Sequence, residues 1–398
     1  MFGWEFPPFK SGGLGTACYG LTKGLAKHNV KVTFVMPVTP DGAKANFVKL
    51  VGAENLAKHV KLKKIPSTLA AYTNAKSYDE ILRGLGNKKQ VYGKNLFDEV
   101  YRYSHIAPLI AKDEEHDLIH AHDWMTYQAA INAKKISKKP LVVHLHATEF
   151  DRTGGNPDPR ISHIEYLGLK AADKIITNSH FSKNNILTHY KIPSEKIDVI
   201  HWGIDESYTT PNFSAPLQNE NVVLSLGRLT IQKGLDQFID AAKKVLTYEP
   251  HTKFVIAGDG DMLPHLIRKT CALGISDKVI FTGTLHGAEV HQAFKTAKLF
   301  VMPSVSEPFG LVALESLKNG TPVLVSKQSG VSEVLKHALK VDFWDVNEMA
   351  NKIISVLRSS ALQQELARNG GKEAEKCDLD TPARKTVDSY KNVIERKH

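Results

Sequence analysis

Glu307 and Glu315 stand eight positions apart in the run Ser306-Glu307-Pro308-Phe309-Gly310-Leu311-Val312-Ala313-Leu314-Glu315-Ser316. Ahead of them, Leu299, Phe300, Val301 and Met302 form a short apolar run stopped by Pro303, the pattern of a strand buried on both faces. Leu311, Leu314, Glu315 and Leu317 then recur at helical spacing. Glu307 therefore falls in a strand-to-helix turn and Glu315 on the second turn of the helix, so both carboxylates point into one crevice. The unbonded N–H groups at the helix start suit a phosphate, and a nucleotide diphosphate is a ligand that fits.

A second pair, Arg228 and Lys233, lies either side of another strand-to-helix turn, in Gly227-Arg228-Leu229-Thr230-Ile231-Gln232-Lys233-Gly234-Leu235-Asp236. Two cations fixed there converge on one anion, as a leaving diphosphate requires while its charge grows. His146 ends a strand over 140–145, the edge at which α/β sheets bind ligands, and Asp123 follows the strand that carries His120 and His122. Those two histidines share a strand face, but the sequence offers no third ligand beside them, and no metal is expected. Asp259-Gly260-Asp261 reads as a turn before a helix, with Asp261 at the positive end of the helix dipole.

The frame that must position these groups reads as two α/β halves. Residues 1–36 give a strand end, a glycine loop, a helix from about Gly15 to His28 and a strand over Val30–Met36. The first strand, Met1–Trp4, is shorter than usual, as a truncated or misassigned start would leave it. Residues 38–100 are polar and lysine-rich and read as an insertion; a helix over 92–110 follows, with Tyr101 and Tyr103 expected in its core. Residues 206–220, rich in Pro, Ser, Thr and Asn, read as the linker. Buried strands then restart at Val222–Leu226, Phe254–Ala257 and Val279–Thr282, with one amphipathic helix over 347–376 and another over 381–397. The expected division is 1–205, 206–220, 221–380 and 381–398.

A chain of 398 residues that is 42% apolar buries a large core and favours two domains. Cys18, Cys271 and Cys377 are widely spaced, which argues against a disulfide framework or zinc site and for a reducing compartment, the cytoplasm by default. No apolar run approaches the about 18 residues of a membrane span, and no basic segment with an apolar core opens the chain. The formal charge of +10 is spread over scattered lysines, with clusters at Lys58–Lys64 and Lys134–Lys139. These read as solvated surface; their functional reading is docking of an anionic acceptor or peripheral contact with an anionic membrane. Neither an RNA-binding aromatic signature nor zinc-finger spacing accompanies them, so nucleic acid is not an expected partner.

Five separated motifs carry a resemblance: Lys10-Ser11-Gly12-Gly13-Leu14, His120-Ala121-His122-Asp123-Trp124, Gly227–Asp236, Ser306–Ser316, and Gly320–Val323 with a small-residue loop ending in Glu333. Together they resemble the retaining glycosyltransferases of family 4, near the glycogen and starch synthase branch, over nearly the whole chain outside 38–100. The resemblance implies the GT-B fold, two Rossmann-like α/β domains whose parallel sheets face each other across a cleft, with a last helix returning to the first domain. It implies that Gly12 and Gly13 approach the donor diphosphate, with Lys10 close to donor or acceptor. Asp123 then orders the sugar site, and His146 reaches the donor sugar. Arg228 and Lys233 stabilise the leaving phosphate, and Glu307 faces the donor sugar. The N–H groups of Gly310 and Leu311 touch the phosphates, Glu315 binds the ribose, and the loop at Leu285 runs along the base. The implied partners are a nucleotide-sugar donor and a glycan or small-molecule acceptor, with neither cofactor nor metal. His201-Trp202 replaces the family's usual polar residue and asparagine in the turn before Gly203-Ile204-Asp205, while Glu315 and the single Gly330 depart from strict glycogen synthases. An α-glucan-elongating synthase is the alternative within the class; outside it stand a nucleotide-sugar epimerase and a basic nucleic-acid binder. Transfer to glycogen, epimer formation without acceptor and salt-sensitive RNA binding separate them.

Overall fold

The structure is a computed structural model, described here for residues 1–6, 13–37, 46–52, 96–205 and 220–395. Lys10, Gly12, the linker residues 206–219 and most of the stretch 38–100 lie outside the described residues.

The N-terminal half is built on parallel strands β1 (Thr33–Met36), β2 (Lys49–Gly52), β3 (Ile119–His122), β4 (Leu141–Leu145), β5 (Lys174–Thr177) and β6 (Ile197–Val199). β3 to β6 pair in sequence order, with His122 beside His144 in the β3–β4 register. Phe2 bridges Val35 of β1 on one side and Ala121 of β3 on the other, so the first residues run up the middle of this sheet. β2 pairs with β1 from Thr33–Lys49 to Met36–Gly52, which corrects the reading of 38–100 as an insertion throughout. Lys49–Gly52 is a short strand of the sheet itself, and a helix already begins at Leu96. On that helix Tyr103 is buried and donates its hydroxyl to Val35 O at 2.9 Å, whereas Tyr101 is 66% exposed and lies against the tilted His105 ring, contrary to its expected place in the core.

The C-terminal half carries β7 (Val222–Leu226), β8 (Lys253–Ala257), β9 (Val279–Gly283), β10 (Leu299–Met302), β11 (Val323–Ser326) and β12 (Leu339–Val341) in the order β12-β11-β10-β7-β8-β9, again all parallel. The central strands bury both faces against helices, which is why their sequences are continuous apolar runs. Two helices, Val346–Arg358 and Ser360–Glu375, stand where one was expected. Ser359 caps the second by accepting from Leu362 N–H, and a side-chain oxygen that satisfies a first-turn donor starts a new helix rather than continuing the old one.

The last helix, Asp380–Glu395, lies on the helix Gly13–Lys27 of the other half. A Cβ on Gly24 would meet Ala383 Cβ and Leu379 O, each at 2.7 Å, and one on Gly203 would fall 1.6 Å from Asp378 O. Tyr390 OH bonds His120 Nδ1 at 2.6 Å, and Ser389 Oγ donates to Asp198 at 2.6 Å. Among the described residues no helix is long and apolar enough to cross a membrane.

Candidate active site

The carboxyl ends of β4, β5, β7, β8 and β10 open onto one cleft of about 880 Å³ between the two halves. From the N-terminal half it is lined by Gly13, His146, Asn178 and Trp202, and from the C-terminal half by Arg228, Lys233, Leu285, Glu307, Gly310, Leu311 and Glu315. A Cβ on Gly13 would meet no protein atom within 4 Å, so a ligand can approach that backbone closely.

Gly310 has φ +108°, outside the range of other residues, and starts the helix Leu311–Lys318 that carries Glu315. A side chain there would also run into Met302 at 2.8 Å. Glu307, 8% exposed, precedes this turn and accepts from Lys233 Nζ at 2.6 Å and Ser304 Oγ at 3.2 Å. Lys233 closes a single 3₁₀ turn, Ile231–Lys233, and Gly234 at φ +63° lets the chain reverse into the helix Leu235–Tyr248. The reversal is tight, since a Cβ on Gly234 would lie 2.0 Å from Pro303 O. Arg228 and Lys233 thus line the cleft from the loop after β7, where Glu307 is the ion-pair partner of Lys233.

Asp123, read from the resemblance as ordering the sugar site, stands behind the cleft surface. It is not among the cleft-lining residues but lies beneath the cleft floor, 1% exposed. Its backbone is held at φ +59°, an uncommon conformation for a side chain with a Cβ, and its Oδ1 accepts from His146 N–H at 2.8 Å. Arg152 stands beside it at 3.5 Å, donates to Ala147 O at 2.7 Å, and pairs with Glu165 at 2.8 Å and Glu149 at 3.4 Å. Burial pushes the carboxyls of Asp123, Glu149 and Glu165 above their usual range despite the guanidinium. This network fixes the His146-Ala147 backbone from below.

Four histidines stand together on β3, β4 and the residue after β4. His122 Nδ1 and His146 Nε2 bond each other at 2.9 Å, and His144 Nε2 donates to Asn178 Oδ1, whose amide in turn donates to His146 O at 3.2 Å. Trp202 stacks on His144 and His146 at 5.3 and 5.5 Å. Burial holds all four imidazoles well below their ordinary pKa, His146 at about 3, so all are neutral near pH 7. The expectation that His120 and His122 lack a third partner is overturned: His144 completes one set of close ligand atoms, and Cys18 with His146 another. Yet the His120 and His122 rings stack at 4.3 Å and 23°, which aims their in-plane lone pairs side by side rather than at one point, and His122 and His146 are spent on each other.

Asn178 and Trp202 are cleft residues that carried no role on sequence grounds. Asn178 ends β5 as His146 ends β4, and that strand-end position was the available signal. Arg152 had none, because nothing in its spacing to Ala147, Glu149 and Glu165 marks it as their common partner.

Residues 11–208 match the family described as Glycosyltransferase Family 4, and residues 209–373 match Glycosyl transferases group 1. The chain is 32% identical to an uncharacterised glycosyltransferase of Methanocaldococcus jannaschii over 99% of its own length and 98% of the relative's. It is 29% identical to the glycogen synthase of Mycobacterium tuberculosis, over 92% and 88% of the two chains. An Anabaena protein solved in complex with UDP-glucose superposes with a TM-score of 0.67 over 98% of this chain and 99% of the other, at 20% identity, a likeness of fold. With two parallel α/β halves facing across a cleft and both halves matched in order, the chain belongs to glycosyltransferase family 4 and is a sugar-transferring enzyme of the GT-B fold.

Proposed function

We propose that the enzyme transfers a hexose, glucose in the simplest case, with retention of configuration, from a nucleotide-diphosphate sugar to a hydroxyl of a sugar or glycan. The observation that carries this reading is that Arg228, Lys233, Gly310, Leu311 and Glu315 line one and the same cleft. Amides and cations receive the diphosphate, Glu315 the ribose, and the backbone near Leu285 the base. The sugar then lies toward Glu307 and His146. In transfer, the bond from the anomeric carbon to the phosphate oxygen breaks while the acceptor oxygen bonds that carbon from the same face, and the acceptor proton passes to the departing phosphate. Arg228 and Lys233 stabilise the charge that grows on the phosphate. Glu307 is held as the counter-ion of Lys233, which suits orientation of the sugar better than nucleophilic attack. Neutral His146, whose Nε2 is engaged by His122, can meet a sugar hydroxyl with its other ring nitrogen without adding charge.

A thermal-shift panel of UDP-, ADP- and GDP-glucose tests the reading, since a ligand at about 100 times its Kd adds roughly 2.7 kcal/mol of stability. No shift with any sugar nucleotide refutes it. The likeness to glycogen synthase favours one narrower reading, elongation of an α-glucan; incorporation of labelled glucose into glycogen, against a small sugar acceptor, decides between them.

A further inference from the structure

Beside the cleft the two halves meet at a place the chemistry above leaves unused. Glu333 belongs to the C-terminal half, on the short helix Val331–Val334, and its carboxylate crosses to the N-terminal half. There it accepts from the backbone N–H groups of His180 at 2.9 Å and Phe181 at 2.7 Å, and pairs with His201 Nε2 at 2.8 Å. Those amides open the helix His180–Tyr190, whose Ser179 cap accepts from Ser182 N–H, so two further first-turn donors and the positive dipole end receive a carboxylate from the opposite half. Burial pushes the Glu333 carboxyl upward, but His201 and the two amides outweigh it and hold the group below its usual range.

The same loop governs the backbone of Glu307. Gly330 N–H donates to Glu307 O at 2.9 Å, and Glu307 N–H donates to Gln328 O at 2.9 Å. Two further crossings tie the Glu307 turn to the N-terminal half: Ser179 Oγ donates to Pro308 O at 2.7 Å, and Ser306 Oγ donates to Asp151. There is no slack in the seat, since a Cβ on Gly330 would fall 2.6 Å from Ser179 Cβ.

We propose that Glu333, with His201, is a positioning residue for transfer: by grasping the start of the helix His180–Tyr190 it seats the Glu307 turn against the N-terminal half and so brings Glu307 and Lys233 to face His146. The inference rests on reading Glu307 as part of the donor site. It assigns closure of the cleft to one carboxylate rather than to the general packing of the halves.

Amide hydrogen exchange of the full chain, without donor, tests it in Glu333→Ala and Glu333→Gln. In the alanine variant, amides at the start of the helix His180–Tyr190 and in the 304–312 turn should both exchange roughly tenfold faster, as loss of charge-assisted bonds requires. Strands β4 and β7 should not change, and glutamine, which keeps a side-chain acceptor, should restore part of the protection. Faster exchange at the helix start alone would make Glu333 a local cap and overturn the proposal, as would no change at either place. Exchange needs no sugar nucleotide, so its outcome is independent of whether the proposed donor class is right. With the best donor from the thermal-shift panel, Glu333→Ala should lower kcat at least about tenfold and leave donor KM within about twofold; a change in KM alone would also overturn it.

Discussion

Acidification from pH 7.5 to 5.5 should destabilise the N-terminal half through its four buried histidines. In the folded chain His120, His122, His144 and His146 are held neutral by burial far below the ordinary value of about 6.5, His146 at about 3. In the unfolded chain each titrates near 6.5, so between that value and the folded one the unfolded state binds more protons. The stability these groups contribute is therefore fully present above about pH 6.5 and is lost as the pH falls below it. Over this drop an unfolded imidazole goes from about one-tenth to about nine-tenths protonated, on the order of 1 kcal/mol each and about 4–6 kcal/mol for the four together. That is comparable with the whole stability of an ordinary domain, about 5–15 kcal/mol. The raised carboxyls of Asp123, Glu149 and Glu165 act oppositely, because the folded state takes up their protons first, and they soften the loss toward the acid end. Urea unfolding at pH 7.5, 6.5 and 5.5 measures the effect, with the buried Trp4, Trp124 and Trp202 as fluorescent reporters of this half. His120→Gln, lacking one titrating ring, should lose roughly 1 kcal/mol less than the wild type over the same range. A wild-type loss under about 1 kcal/mol, or an identical loss in the variant, would refute the account.

Three further outcomes follow from the cleft and the network beneath it. Lys233→Ala and Arg228→Ala should each lower kcat at least about 100-fold, the scale of removing one stabiliser of developing charge; near-normal transfer in both would sink their proposed role. Glu315→Ala should act chiefly on donor KM, because ribose contacts change little during reaction, and steady-state kinetics with kcat lowered alone would contradict it. Arg152→Met leaves three buried carboxyls without their cation and should cost about 3–5 kcal/mol in chemical unfolding; a loss below about 1 kcal/mol would show that these groups are already protonated in the fold.

Much of the frame was legible because buried parallel strands write themselves as apolar runs. β7 and β10 fall on the residues read from sequence, and His146, Arg228 and Glu307 each follow the carboxyl end of a strand. The rule that α/β sheets bind ligands at that edge was enough to gather them. Short or half-exposed elements were not legible in this way. β2 has four residues and one apolar pair, Leu50-Val51, too little to stand out from a lysine-rich stretch. The break at Ser359 hid inside a continuous helical period, since one hydroxyl cap leaves no mark on apolar spacing. Helical spacing likewise set Tyr101 beside Tyr103 without saying which one faces inward. Within the cleft, strand-end logic located Asp123 but not its depth, and the clamp of Arg152 on Glu165 and Ala147 is a tertiary fact with no local signature.

The helix Asp380–Glu395 carries one more consequence, for synthesis on the ribosome. The N-terminal half is completed by residues made after every strand of both sheets: Ala383 fills the place left by Gly24, and Tyr390 supplies the partner of His120 in the core. Until that helix and Leu379 just before it emerge, Gly20 and Gly24 on the helix Gly13–Lys27 lack these contacts, while the whole C-terminal sheet is being translated. Contacts so distant in sequence form late and leave apolar surface open to association in the interval. A nascent chain halted before Leu379 should therefore be protease-sensitive in its first half even though every strand of both sheets has already been made.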